Sequence, residues 1–239
     1  MKIKIIPCLQ DNYSYLIIDE KKDIACVIDP GDANPIIEYL EGNKIELKFI
    51  LNTHHHYDHV GGNNKLKEKY GASIIGYKGD KERIPGIDIL IDDQETWTHK
   101  NFHAKIIHIP GHTLGHICFY FHKEGSVFTG DTLFSLGCGR IFEGTYSQMF
   151  DSLMKLKTLP QSTKVFCGHE YTKKNSDFCI THDTNNKNLK AKINDINMKL
   201  KSGLPTIPST IKDELECNIF LRSDNVGAFS KLRDLKDNF

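Results

Sequence analysis

Between positions 54 and 59 the chain carries His54, His55, His56, Asp58 and His59. Imidazole nitrogens beside a carboxylate form the donor set that borderline-soft divalent ions such as Zn²⁺ take, and an open coordination position would make such a site catalytic. Residues 47–52, just ahead, form an apolar, β-branched-leaning run that predicts a buried strand, and Gly61-Gly62 just behind frees the backbone to turn into a helix. Side chains two apart in near-extended chain point the same way, so His54 and His56 are expected on one ion, with His55 pointing elsewhere. Asp58 and His59, past the bend, are placed to face a second ion. A solvated polar loop or a tag explains the run less well, because it is internal, follows a core-like strand and includes Asp58.

More donors stand where apolar runs meet glycine turns. Pro110-Gly111-His112-Thr113-Leu114-Gly115-His116 follows one such run, Gly130-Asp131-Thr132 a second, and Gly168-His169-Glu170-Tyr171 a third. A lone histidine is usually structural, but several loops carrying donors in this order are not coincidence. His-x-His-x-Asp-His followed by these loops resembles the metallo-β-lactamase superfamily of metal-dependent hydrolases. The resemblance implies His54, His56 and His112 on one ion, Asp58, His59 and His169 on the other, and Asp131 bridging both. Two divalent ions about 3.5–4 Å apart hold and acidify a shared water while one polarises the carbonyl under attack. Asp58 is then expected to orient the resulting hydroxide, making Asp58 and Asp131 the catalytic carboxylates. No Gly-x-Ser-x-Gly elbow and no phosphate-binding glycine loop compete for the chemistry. Zn is the expected metal, with Fe or Mn accepted by the same ligands. Asp29, before Pro30, reads either as a hydrogen-bond partner of a ligand imidazole or as a turn residue. For His116 a structural role is expected.

Outside the ligands, Asp11-Asn12-Tyr13-Ser14-Tyr15, residues 128–134, Gly137-Cys138-Gly139-Arg140, Glu143-Gly144-Thr145, residues 205–210 and 232–237 resemble glyoxalase II, the hydroxyacylglutathione hydrolases, over nearly the whole chain. That resemblance implies an α+β fold, a four-layer αβ/βα metallo-β-lactamase-like sandwich over residues 1–172, and a helical, glutathione-binding C-terminal domain over 173–239. It also implies hydrolysis of S-(2-hydroxyacyl)glutathione thioesters, with S-D-lactoylglutathione as the substrate, D-lactate and glutathione as products, and methylglyoxal detoxification as the pathway. Arg140 would meet a glutathione carboxylate, Tyr171 the peptide portion, and Arg233 with Lys236 the glycine end. Charge-assisted donors suit such an anion, although Asp234 and Asp237 offer Arg233 and Lys236 local partners on an ordinary solvated helix face. Phe142 stands where better-known members carry a tyrosine, removing one hydrogen bond of about 1 kcal/mol. A thiolate leaves without a proton, so no general acid is needed. An iron-dependent glutathione persulfide dioxygenase of the same superfamily is the alternative; it uses a single ion, against which the second donor set argues.

The rest of the chain must position these loops. Its 239 residues suffice for one large domain or a domain plus an appendage. Lys plus Arg and Asp plus Glu number 31 each, a neutral balance that argues against a nucleic-acid partner. No run suits a signal peptide or a membrane span, and seven scattered cysteines without a C-x-x-C pair fit reduced, buried thiols. A cytoplasmic monomer is expected. Alternation over residues 2–6, 13–19 and 24–28 predicts an antiparallel meander. Asn34-Pro35 predicts the start of a short helix that Gly42 stops. A helix over 63–70 and a strand over 73–77 follow, then polar loops with weak strands over 78–100. Strands are predicted over 105–109, 117–121, 126–129 and 164–167, and helices over 147–157, around 189–200 and over 226–238. Strand layers with interspersed helices imply a helix-covered sandwich.

Overall fold

The computed structural model describes residues 1–239 and divides into two compact units, Met1–His108 with Gly115–Glu124, and Ile109–Leu114 with Gly125–Phe239. This division follows a different line from the sequence boundary at 172/173.

The first unit is built on a six-stranded sheet of β1 (Lys2–Cys8), β2 (Asn12–Asp19), β3 (Ile24–Ile28), β4 (Glu46–Leu51), β5 (Ser73–Tyr77) and β6 (Ile89–Ile91), in that spatial order. β1 to β3 pair antiparallel, as the alternation predicts, and β3 to β6 pair parallel. A parallel strand covered on both faces has no polar side, and every residue of β3 is buried. Helix α1 (Ala33–Asn43) makes the β3–β4 crossover, burying Ala33, Ile36 and Leu40 in the core with Leu66 of α3 (Asn63–Tyr70). The cap of α1 lies ahead of the Asn34-Pro35 reading. Asp32 accepts from the Asn34 backbone N–H at 2.9 Å, and the helix runs through Gly42 to a left-handed Lys44. The helix ends only one residue past Gly42, at Asn43, and a glycine so close to the end costs the helix little. The helix over 63–70 and the stop at Gly71 are as predicted.

The short helix α2 (Tyr57–Val60) carries Asp58 and His59, and it lies against the exit of β3. A Cβ on Gly31 would fall 2.2 Å from the Asp58 carbonyl oxygen, and the Gly62 N–H donates to the Pro30 carbonyl at 2.7 Å. Only side-chain-free residues permit that approach, and it brings Asp29 next to the histidine loop. Strands β7 (Thr96–His99), β8 (Phe102–His108) and β9 (Ile117–Phe121) form an antiparallel layer of the same unit. Trp97 meets Phe49 of β4 edge-on at 5.1 Å.

In the second unit β10 (Ser126–Gly130) pairs parallel with β13 (Lys164–Cys167), which pairs antiparallel with β14 (Ser209–Thr210), while β11 (Leu133–Phe134) and β12 (Gly137–Cys138) make a hairpin. Helix α4 (Tyr146–Lys157) starts on a Thr145–Gln148 capping box. Four helices follow: α5 (Thr172–His182), α6 (Lys187–Lys201), α7 (Ile211–Cys217) and α8 (Val226–Asp237). Helix α5 is short of apolar periodicity and α7 has only two turns, so neither stands out in the sequence. Phe178, Phe220 and Phe229 are fully buried and bind this helical part together, with ring centroids 5.9 and 6.1 Å apart in successive pairs. All seven cysteines are free and buried, as expected. No helix is long and apolar enough to cross a membrane.

Candidate metal centre

Each unit presents its own half-set of donors. In the first, β4 ends at Leu51 and buried Asn52 fastens the loop, its side-chain amide donating to the His59 carbonyl at 3.2 Å and accepting from Asn63 at 2.8 Å. Asp29 then organises the histidines. Its Oδ1 accepts from the Thr53 backbone N–H at 2.7 Å, and its Oδ2 accepts from Thr53 Oγ1 at 2.6 Å and lies 3.0 Å from His59 Nδ1. A carboxylate only accepts, so His59 carries its proton on Nδ1 and turns the Nε2 lone pair outward. The Thr53 hydroxyl spends its one proton on Asp29. It therefore accepts from His54 Nδ1 at 3.0 Å, which puts the His54 proton on Nδ1 rather than on Nε2. Of the two readings of Asp29, the structure shows a hydrogen bond to the His59 imidazole and a link through Thr53 to that of His54.

His54 Nε2 and His56 Nδ1 lie 3.2 Å apart, and His59 Nε2 lies 3.6 Å from Asp58 Oδ2. Two donors bound tetrahedrally at 2.0–2.1 Å stand roughly 3.3 Å apart, so these spacings fit a divalent ion without rearrangement. Asn12 donates to Asp58 Oδ2 at 2.9 Å, giving the Asp-Asn-Tyr-Ser-Tyr stretch a concrete task. His55 leaves the set as expected, its Nδ1 lying 3.2 Å from Asp80 Oδ2. His116 stacks on His54 at 4.5 Å with 18° between the rings.

In the second unit Asp131 stands just past β10, and His112 and His169 converge on it. His169 Nε2 and His112 Nε2 lie 3.2 and 3.6 Å from Asp131 Oδ2. The other nitrogen of His112, Nδ1, donates to the Arg140 carbonyl at 2.8 Å, so its proton lies on Nδ1 and Nε2 is the nitrogen turned to Asp131. His169 stacks on Tyr171 at 4.6 Å, with 7° between the rings. Asp131 and the two histidines are all buried. Asn12, Asn52 and Thr53 escaped the sequence reading as individual contributors, because short polar side chains look alike in loops; only the Asp-Asn-Tyr-Ser-Tyr stretch pointed to Asn12.

The residues expected to hold substrate all lie in the second unit. Phe142 is 62% exposed and its ring meets that of His112 edge-on at 5.1 Å. Arg140 is exposed, with Nε donating to Asp237 Oδ1 at 3.2 Å. Arg233 differs from the solvated helix position that the sequence allowed. It is only 4% exposed, donates from Nη1 to the Cys138 carbonyl and from Nη2 to Asp237 Oδ1, both at 2.8 Å, and lies 5.3 Å over the Phe220 ring. Lys236 donates to the Lys174 carbonyl at 3.1 Å, with the Phe178 and Phe239 rings each 5.0 Å away. Burial first, then the nearby cations Arg233 and Lys174, push its ammonium down to about 8.

Comparison with known proteins gives the family of the chain and its fold. A family model described as the metallo-β-lactamase superfamily matches residues 10–169, and one described as the hydroxyacylglutathione hydrolase C-terminus matches residues 170–239. The hydroxyacylglutathione hydrolase of Pelagibacter ubique is 74% identical over the full length of both chains. The protein from Arabidopsis thaliana named hydroxyacylglutathione hydrolase cytoplasmic is 45% identical, over 97% of this chain and 92% of its own. Among solved structures, ETHE1 from Myxococcus xanthus aligns with TM-score 0.75 at 23% identity over 98% of this chain and 90% of its own. The BLEG-1 B3 metallo-β-lactamase aligns with TM-score 0.73 at 23% identity over 93% of this chain and all of its own. At that identity the structures establish the metallo-β-lactamase fold alone.

Proposed function

Because this chain belongs to the hydroxyacylglutathione hydrolase family of the metallo-β-lactamase superfamily, we propose that its two half-sets of donors act together on the thioester carbonyl of an S-(2-hydroxyacyl)glutathione. The reaction is hydrolysis to a 2-hydroxy acid and glutathione, and S-D-lactoylglutathione is the substrate we assign. The observation that carries the reading is the match of residues 170–239 to the C-terminal part of this family, on a chain whose upstream loops hold a full set of His and Asp donors.

In this reading His54, His56 and His112 hold one divalent ion, Asp58, His59 and His169 hold a second, and Asp131 serves both. Zinc is our choice for both ions, with iron or manganese accepted by the same donors. When bound, such a pair supplies a water acidic enough to ionise near neutral pH and a Lewis acid for the carbonyl oxygen. The chain does the rest. Asp58, half-exposed and held by Asn12, orients the attacking water through its carboxylate. Asp29 and Thr53 keep the imidazole protons of His59 and His54 away from the donor atoms. Arg140, Tyr171, Arg233 and Lys236 recognise the glutathione moiety within the helical segment from 173 onward and the loops before it, and Phe142 offers an apolar wall. Glutathione leaves as a thiolate and needs no proton from the protein. We place the enzyme in the cytoplasm as a monomer.

The test is loss of thioester absorbance from S-D-lactoylglutathione, with and without chelator and beside lactoyl-coenzyme A, together with metal analysis of Asp131→Asn. Chelator-sensitive hydrolysis confined to the glutathione thioester, and loss of bound metal in the variant, are the expected results. A fully loaded protein that leaves the thioester intact refutes the substrate assignment. Normal metal content in Asp131→Asn refutes the shared-ligand role.

A further inference from the structure

Asp237, in the last turn of α8, belongs to none of the groups assigned above, yet its carboxylate receives both arginines of the substrate side. Oδ1 accepts from Arg233 Nη2 at 2.8 Å and from Arg140 Nε at 3.2 Å, and its backbone carbonyl lies 3.4 Å from Arg140 Nη2. The two arginines are unequal. Arg233 is buried, fixed to the Cys138 carbonyl and laid over Phe220, whereas Arg140 is exposed on a long, flexible side chain. A carboxylate tied to a buried, permanently charged guanidinium cannot swing away, because it would leave that charge unpaired. It is therefore a fixed anchor for whatever else it holds.

We infer that Asp237 is a positioning residue for substrate binding: pinned by Arg233, it grips the Nε edge of Arg140 and leaves the outer Nη1 of that guanidinium for a substrate carboxylate. The inference rests on the proposed contact between Arg140 and glutathione. Ordering the Arg140 side chain before substrate arrives removes rotamer freedom that binding would otherwise have to remove. The Arg140 backbone adds to the arrangement, since its carbonyl accepts from the ligand His112. The main chain of this residue serves the metal side while its guanidinium serves the substrate side. Disturbing only the guanidinium should change KM and spare kcat.

Electrostatics alone predicts the opposite sign, which makes the inference testable. Neutralising an acid beside a cationic site should tighten an anionic substrate, whereas loss of positioning should weaken it. Steady-state kinetics of the metal-loaded enzyme on S-D-lactoylglutathione would compare Asp237→Asn, Arg140→Ala, the double variant and Arg140→Lys, which keeps the charge but loses Nε. Asp237→Asn should raise KM about fivefold, the equivalent of one hydrogen bond, with kcat within about twofold, and should add nothing in the Arg140→Ala background. A lactoyl thioester of N-acetylcysteamine, which has no carboxylate, should be insensitive. Should Asp237→Asn fail to fold, Asp237→Glu, which keeps the charge and the acceptor but moves them by one methylene, carries the test, with a rise in KM again expected and again absent in the Arg140→Ala background. A fall in KM shows that Asp237 competes with substrate, and an unchanged KM beside a raised one in Arg140→Ala shows that it does not position; either overturns the inference alone. A rise that persists in the Arg140→Ala background also overturns it. An unchanged KM in Arg140→Ala sinks the contact on which the inference rests.

Discussion

Replacing Asp29 by Asn changes almost nothing except hydrogen-bond polarity, and it should cost the second ion much of its affinity. The backbone tolerates the change, since Asp29 has φ of 47° and Asn is among the few residues at ease in that left-handed region. The volume is the same. The carboxylate, however, accepts three bonds, from the Thr53 N–H, the Thr53 hydroxyl and His59. An amide group facing the Thr53 N–H would set donor against donor with no escape, because a backbone N–H cannot invert. Turned the other way, the amide faces His59 Nδ1 and Thr53 Oγ1. His59 must then move its proton to Nε2, the atom meant to ligate, and the hydroxyl must donate to His54, with the same consequence there. One mispaired buried group costs about 1–3 kcal/mol of stability, and loss of a ligand-orienting partner lowers metal affinity roughly 10- to 100-fold. Competitive chelator titration of the purified variant reads the affinity directly, and thermal melting of the chelator-treated protein reads the stability. Wild-type metal affinity with an unchanged melting temperature would refute the tautomer argument.

Two further perturbations test other joints of the structure. A Cβ on Gly115 would fall 1.9 Å from Oδ1 of buried Asp80, which Arg83 holds at 2.5 Å. Gly115→Ala should therefore cost about 1–3 kcal/mol by overpacking, seen as a lower melting temperature that Asp80→Ala partly restores; no loss in the single variant contradicts the geometry. Glu214 is fully buried, its Oε2 accepting from the Leu136 N–H at 2.8 Å and from Asn218 at 2.9 Å, and burial raises its carboxyl from 4.5 to about 7. A pKa raised in the folded state gives stability that is full below the unfolded value and lost as pH climbs through about 7, here about 3 kcal/mol. Glu214→Gln should flatten the fall in melting temperature between about pH 4.5 and 7, and an unaltered slope would show that Glu214 does not titrate in this range.

Much of the site could be read from the chain because metal chemistry is a local signal. His54, His56, Asp58 and His59 sit in one loop, and His112, Asp131 and His169 each follow a strand at a glycine turn, so residue type and a two-residue period suffice to nominate them. Helix limits could be read to within a residue or two from local caps, as at Gly71, while for α1 the Asp32 side chain caps the helix two residues ahead of Asn34 and the helix runs one residue past Gly42. Helices α5 and α7 are not legible in the sequence, because α5, which packs Phe178 on Phe220, is short of apolar periodicity and α7 has only two turns.

The sequence by itself determined which residues are candidates for metal binding, where they emerge from the strands, and to which family the chain belongs, since each depends on residues close together in the chain or on motifs copied whole. Tertiary structure alone decided which nitrogen carries the proton in His54 and His59, because that is set by Asp29, 24 residues from Thr53 and 30 from His59. It also decided that Arg233 is a buried anchor rather than a solvated cation, because its partner at Cys138 is 95 residues away. A hydrogen bond depends on distance in space, and separation along the chain carries almost no information about it.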